Sequence, residues 1–185
     1  MRFLWVLVIF LSLSLPAFAG FEEGKKAYEE ENWMRVIAEL RPLAERGHAE
    51  SLVLLGNMYN DGKGVIKEPK IALEHYKQAT RQGSIEAMIS LAGMHAGGVG
   101  TEKDLSKALI LYERAAEKGN VLGQFFAGNL YYMGDTKGKS FEQDKGKAYK
   151  YLSALSVSET APKDLKKKAE EVSKRIFNEL KEEKE

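Results

Sequence analysis

The sequence predicts an all-α protein built as an α-solenoid of helix-loop-helix repeats between helical caps, and two observations predict it. First, Gly47, Gly83 and Gly119 are separated by 36 residues twice over. Second, apolar and small residues recur around them at intervals of three and four, as in amphipathic helices. A fixed period of this length is typical of proteins that stack helical repeats into one continuous core.

Other positions keep step with these glycines. Small, apolar, aromatic and loop-glycine positions form four columns, which are Gly56, Ala92 and Gly128; Met58, Met94 and Leu130; Tyr59, His95 and Tyr131; and Gly62, Gly98 and Gly134. Small residues in the first column let the two helices of a repeat approach closely, so a large side chain should not fit there. We therefore predict three repeats over residues 48–157, namely 48–83, 84–119 and 120–157.

Each repeat should contain two helices, the first of them near residues 48–60. The second helices are predicted to start at the acidic residues Glu68, Asp104 and Asp144, whose side chains can accept hydrogen bonds from free amide groups at a helix start. They should end at Gly83 and Gly119, since glycine readily adopts the left-handed conformation that closes a helix.

The flanking segments predict caps at both ends of the stack. Residues 20–47 indicate a shorter helical hairpin with Tyr28 and Trp33 as packing residues. Residues 158–185 indicate a charged helix with a single apolar stripe, formed by Leu165, Ala169, Val172, Ile176 and Leu180. A terminal helix with one polar face covers the apolar side that the last repeat would otherwise expose. The lysines at 166–168 fit its solvated face.

The first 19 residues have the pattern of a signal peptide: Arg2, an apolar run to Leu15, and small residues at Ala17 and Ala19. We expect cleavage between Ala19 and Gly20 and a periplasmic or secreted protein. An uncleaved membrane anchor is the alternative, but the run is shorter than the ~20 residues that a span needs. No second long apolar stretch follows, so no stable membrane insertion is expected after cleavage.

The net charge limits the classes of partner that the protein can bind, and the cysteine content limits its covalent cross-links. The chain has 28 basic and 27 acidic residues, and removal of residues 1–19 takes away only Arg2, which leaves a net charge of zero. Nucleic acids and anionic membranes usually require a basic surplus, so neither is an expected partner. The chain has no cysteine, which excludes disulfides.

Three stretches carry a resemblance to a known family. They are LLGNMYNDGKGV at 54–65, DLSKALILYERAAEKG at 104–119 and DKGKAYKYL at 144–152. They resemble Sel-one-like repeats (SLR), relatives of tetratricopeptide repeats. The resemblance implies a right-handed superhelix whose first helices line a concave groove, and adaptor roles in envelope signalling, secretion or complex assembly, usually without catalysis. His95, Ile71 and an insertion in the third repeat depart from the family pattern.

Within that geometry, the helix faces turned away from the core should bind a protein or peptide partner. The predicted partner-binding set is Glu50, Val53, Asn57, Asn60, Glu86, Ile89, Leu122, Phe125, Asn129 and Tyr132. Val53, Ile89 and Phe125 form an apolar column, which could instead pad the contact between helices. The inserted loop around Lys139 and Phe141 is a second, weaker candidate, since insertions are usually just tolerated.

Catalytic and cofactor motifs are not evident. The segment from Gly134 to Ser140 resembles a phosphate-binding loop, but its spacing is one residue short and it follows a predicted helix rather than a strand. The three histidines have no metal-site spacing, and no nucleophile motif such as G-x-S-x-G occurs. We therefore expect no catalytic residues, metal or cofactor. An immunity-type inhibitor of a toxin is the alternative to an adaptor, and a hydrolase of cell-wall or β-lactam substrates is the contrasting class.

Overall fold

The computed structural model describes residues 20–135 and 141–183, and within these ranges the chain is helical with no strand. The helices are α1 (20–29), α2 (Trp33–Glu45), α3 (Ala49–Asp61), α4 (Pro69–Arg81), α5 (Ile85–Gly97), α6 (Leu105–Glu117), α7 (Val121–Met133), α8 (Lys145–Ser156) and α9 (Lys163–Glu182). The predicted all-α class is confirmed. The chain forms two compact units, with unit 1 ending at Ala87 and unit 2 beginning at Met88.

The helix ends follow the predicted chemistry with one exception. Asp104 and Asp144 accept hydrogen bonds from the backbone amides three residues later, at 2.9 and 2.8 Å. Glu68 precedes α4 but its side chain makes no capping bond, so this part of the prediction is wrong. Proline follows it at the first helical position, where a fixed φ already favours the helix. Gly83 and Gly119 have φ of +86° and +80°, as a left-handed helix stop requires.

The column of small residues has the predicted role. A Cβ atom added to Gly56 would lie 2.7 Å from the Tyr76 ring on α4, and one added to Gly128 would lie 2.7 Å from Leu152 on α8. Ala92, the third member, is fully buried. These residues therefore set how closely the two helices of a repeat approach.

Unit 1 has its core between α2 and α3, where Val36, Leu40, Leu52 and Met58 are at most 1% exposed. Helix α1 adds Ala27 to this core. The predicted packing of the hairpin is confirmed, since the rings of Tyr28 and Trp33 meet edge-on with centroids 5.4 Å apart.

Unit 2 ends in α9, which begins directly after Pro162 and packs on α8. Ala169 and Ile176 of its apolar stripe are fully buried, as are Leu152 and Leu155 of α8. The predicted terminal helix therefore covers the apolar side of the last repeat.

The signal peptide and its cleavage site lie in residues 1–19, outside the described part of the chain. Lys139, of the inserted loop, is likewise outside it. Among the described residues, none of the helices combines the length and the hydrophobicity that a membrane span requires.

Candidate functional site

The predicted partner-binding residues differ in exposure. Glu50, Glu86 and Leu122 are exposed, while the remaining members other than Val53 are half-buried. Val53 is only 2% exposed and belongs to the hydrophobic core of unit 1. Its predicted position on an open surface is wrong, because the helical period identifies a face of α3 but not the neighbouring side chains that cover it.

All three half-buried asparagines of the set already have internal hydrogen bonds, and the Asn60 side-chain amide donates to the Asp61 carboxylate at 3.0 Å. The Asn57 side-chain oxygen accepts a hydrogen bond from the Tyr76 hydroxyl at 2.6 Å. The Asn129 side-chain amide donates to the Phe125 carbonyl oxygen at 2.7 Å, one turn earlier in α7. Each amide group therefore keeps only part of its hydrogen-bonding capacity for a partner.

Tyr132 is held by the terminal helix. Its hydroxyl donates to the Glu179 carboxylate of α9 at 2.7 Å, and this hydrogen bond raises the pKa of Tyr132. Lys145 donates to the same carboxylate at 2.9 Å and to Glu183 at 2.6 Å. The hydrogen bonds that Glu179 accepts from Tyr132 and Lys145 lower its pKa. Tyr132 is thus part of the attachment between α7 and α9.

The largest exposed apolar side chains of α7 lie on one face of the helix. Leu122, Phe126 and Met133 are 41%, 37% and 59% exposed. They are separated by four and seven residues, which places them on one side of a helix. We call these three residues the apolar α7 face.

Aromatic contacts support this face from beneath. The Phe126 ring stacks on that of Tyr112 in α6, with centroids 4.9 Å apart, and meets Phe125 edge-on at 5.6 Å. Burial raises the pKa of Tyr112. Of the four α7 residues Leu122, Phe125, Phe126 and Met133, only Leu122 and Phe125 were predicted from the sequence. Phe126 and Met133 were missed because the predicted face continued from Leu122 to Phe125 and Tyr132, one position before each, although their spacing from Leu122 is visible in the sequence.

The histidines do not converge. His48 caps α3, where its ring nitrogen Nδ1 accepts a hydrogen bond from the Ser51 amide at 3.3 Å. His95 is buried in the predicted aromatic column, and His75 lies on α4. Within residues 20–135 and 141–183, no three His, Asp or Glu side chains are grouped as a metal site would require.

The fold and these surfaces define a class, that of helical-repeat scaffolds for protein–protein interaction. The Sel1 repeat family model matches residues 49–84, 85–120 and 121–154, which is more than half of the 185 residues. The chain belongs to the Sel1 repeat family. Sel1 repeats are a protein-interaction scaffold and are generally non-catalytic.

Solved structures agree on the fold. A Sel1 repeat protein from Oxalobacter formigenes superposes with a TM-score of 0.66 at 22% identity, over 72% of this chain and 53% of that one. A protective antigen present in uropathogenic Escherichia coli strains displays an SLR fold and gives a TM-score of 0.70 at 26% identity. The match covers 75% of this chain and 30% of that one. The chain thus spans about half of the first protein and less than a third of the second. No curated protein matches the chain significantly.

Proposed function

We propose that this protein is an exported adaptor of the bacterial cell envelope that binds a protein partner through the apolar α7 face. It acts by holding that partner and carries out no reaction of its own. Export is supported by the signal-peptide pattern of residues 1–19, and protein binding by the Sel1 repeats.

The exposed side chains of α7 are the observation that carries the proposal. A phenylalanine, a leucine and a methionine on one helix face are costly to leave in water, because each Å² of apolar surface removed from water contributes about 25 cal/mol. Phe126 is also pre-positioned by its stacking on Tyr112. Rigid aromatic side chains of this kind supply the few strong contacts that dominate many interfaces.

Site-specific photocrosslinking in the native host tests the proposal. A photoreactive phenylalanine analogue at position 126 should form a covalent adduct with one partner protein, whose identity is read by mass spectrometry. The same analogue at position 66 is the matched control, because Ile66 is 81% exposed but belongs to the loop before α4 in unit 1. Adducts of equal yield at both positions, or at neither, would contradict binding through α7.

Substitution separates binding from folding. Leu122→Ser with Phe126→Ala should lose the crosslinked partner when the photoreactive analogue is placed at position 133, while circular dichroism shows an unchanged helix content. Ile66→Ser should retain the partner. A folded double variant that still forms the adduct would remove these side chains from the interface.

A further inference from the structure

Unit 1 contains an open cavity of about 600 Å³ between α2, α3 and α4. Its floor is apolar and includes Leu52, Leu55 and Met58, which are at most 4% exposed. The rings of Tyr59 and His75 line it together, with centroids 5.7 Å apart and an interplanar angle of 25°. None of these residues belongs to the predicted partner-binding set. Apolar side chains at the base of a cavity and polar groups at its opening that can orient a ligand are both features of ligand sites.

The opening of the cavity is polar. Arg41 and Glu45 of α2 and Gln78 of α4 line it, and all three are exposed. Among the described residues, no carboxylate forms an ion pair with Arg41 and no group forms a hydrogen bond with the Tyr59 hydroxyl. A ligand can therefore engage both groups without breaking an internal contact.

In the third repeat, the position equivalent to this cavity is filled by the protein's own side chains. The backbone amide of Glu68 donates to the Tyr59 carbonyl at 2.8 Å, and that of Asp144 donates to the Tyr131 carbonyl at 2.8 Å, which aligns the two repeats across the insertion. Tyr131 stacks on Tyr151 with centroids 6.2 Å apart and an interplanar angle of 8°, as Tyr59 stacks on His75.

In the third repeat, an aromatic side chain and a carboxylate complete the site. Phe141 meets the Tyr131 ring edge-on at 6.5 Å. Glu113 of α6 accepts hydrogen bonds from the hydroxyls of Tyr131 at 2.7 Å and Tyr151 at 3.4 Å. The ring pair is therefore covered by a phenyl group and bonded to an anion, both supplied by the chain itself.

Unit 1 lacks both of these groups. By the same alignment, Val65 stands where the third repeat has Phe141, and Arg41 stands where it has Glu113. His75 is smaller than its counterpart Tyr151. The missing phenyl group leaves the space open. The charges differ as well: the third repeat places both Glu113 and Lys147 on the Tyr131 hydroxyl, whereas Arg41 lines the cavity that contains Tyr59.

We propose that the cavity binds an aromatic side chain with a neighbouring carboxylate, as found at the C-terminal phenylalanine of a peptide. The ring takes the space that Phe141 fills in the third repeat, and the carboxylate pairs with Arg41 and accepts a hydrogen bond from Tyr59. Glu45, one turn further along α2, disfavours a second anionic group, so the ligand carries a single negative charge there. This site is separate from the apolar α7 face and does not depend on it.

Two small probes test the proposal on the full chain by two-dimensional NMR. N-acetyl-phenylalanine carries the ring and the carboxylate, whereas N-acetyl-phenylalanine amide carries the ring alone. The acid should bind with a dissociation constant on the order of 1 mM, as expected for a ligand of this size. The amide should bind about fivefold more weakly, because it lacks one ion pair at an exposed opening. Shifts should be confined to residues around the cavity.

Three variants separate the contribution of the aromatic ring to binding from that of the carboxylate. Val65→Phe with His75→Tyr copies the third repeat into unit 1 and should abolish binding of both probes while helix content and melting temperature are kept. Arg41→Gln should bind acid and amide equally. Arg46→Gln, at an exposed arginine of the same segment outside the cavity, should retain the fivefold difference. Equal affinity of the two probes for the unmodified chain, or shifts spread over its whole surface, would overturn the proposal, as would undiminished binding to the folded double variant.

Discussion

The first and third repeats place a stacked ring pair at the same position but surround it differently. Around Tyr131 and Tyr151, the chain supplies a phenyl ring, a carboxylate and the Lys147 ammonium group, which donates to the Tyr131 hydroxyl at 3.1 Å. Around Tyr59 and His75, the equivalent space is a cavity of about 600 Å³. A single repeat architecture can therefore make one position a closed structural cluster or an open one, depending on three or four side chains.

The parts that do not vary are those that hold the two helices of a repeat together. In both repeats a glycine lies opposite the second helix, at Gly56 and Gly128, and an added Cβ atom would come within 2.7 Å of a side chain. The same loop hydrogen bond joins each second helix to the tyrosine carbonyl of the first. The backbone of a repeat thus tolerates different ring surroundings, and functional differences arise from side chains placed on it.

The largest expected effect on stability comes from substituting the glycine that both repeats place between their two helices. Gly128→Leu and Gly56→Leu should each lower the free energy of unfolding by about 1–3 kcal/mol, because the new side chain overpacks the contact between two helices. Chemical denaturation followed by circular dichroism measures this. Gly93→Ala is the control, since its added Cβ would have only an ordinary contact at 3.8 Å. It should be stabilising by up to about 1 kcal/mol, because alanine favours a helix over glycine. A Leu variant as stable as wild type would contradict the helix pairing.

The second effect distinguishes the two ring pairs. Phe141→Val with Tyr151→His gives the third repeat the residues of the first, and should cost about 1–2 kcal/mol because half-buried aromatic surface is lost and a cavity is left. The reverse exchange in unit 1, Val65→Phe with His75→Tyr, should cost nothing or stabilise. Thermal unfolding of both variants measures the difference. Equal losses in the two would mean that the first repeat is packed as tightly as the third.

The charge at the ring pair gives a third, smaller effect. Burial and the nearby Glu113 carboxylate raise the pKa of Tyr151 to about 12. Glu113→Gln should move that pKa down towards 10, since the negative charge that opposes ionisation of the hydroxyl is removed. It should also cost about 1 kcal/mol in stability, as for one lost hydrogen bond. Ultraviolet titration of tyrosine ionisation reports the pKa.

Arg41→Gln, the equivalent change in unit 1, is the control for that experiment. Arg41 makes no ion pair with a described residue, so stability should stay within about 0.5 kcal/mol of wild type. A titration curve for Glu113→Gln that overlays the wild-type curve would show that the carboxylate does not act on these tyrosines.

The sequence alone was sufficient for the repeat architecture, because that depends on regularly spaced small residues and caps. Gly128, Asp144 and Gly119 have the predicted roles for this reason. The period was less informative about surfaces: it placed Val53 in the open and missed Phe126. Exposure depends on the helices packed against a face, and those neighbours are not part of the helical period.

The cavity of unit 1 shows the same limit more clearly. It arises because Arg41 of α2, Val65 of the loop before α4 and His75 of α4 are each smaller than, or opposite in charge to, their counterparts in the third repeat. The period of 36 residues places Arg41 opposite Glu113 directly, but Val65 and Phe141 are separated by an additional insertion of four residues. Only the shared backbone hydrogen bonds establish that Val65 and Phe141 are equivalent.

The smallest effect concerns protonation of His75, the member of the open ring pair whose counterpart in the third repeat is Tyr151. Burial lowers the pKa of His75 below its ordinary value of 6.5, because the imidazolium form loses hydration in the half-buried site. Between this lowered pKa and 6.5, the unfolded chain binds more protons than the folded chain. The contribution of His75 to stability is therefore fully present above pH 6.5 and is lost as the pH falls through the folded-state pKa.

The melting temperature of wild type should thus fall more steeply between pH 7 and pH 5 than that of His75→Tyr, which has no group titrating at position 75 in this range. Proton NMR of the His75 ring gives the folded-state pKa directly. A pKa at or above 6.5, with parallel melting curves for the two proteins, would mean that water enters the ring pair freely and that its surroundings do not disfavour charge.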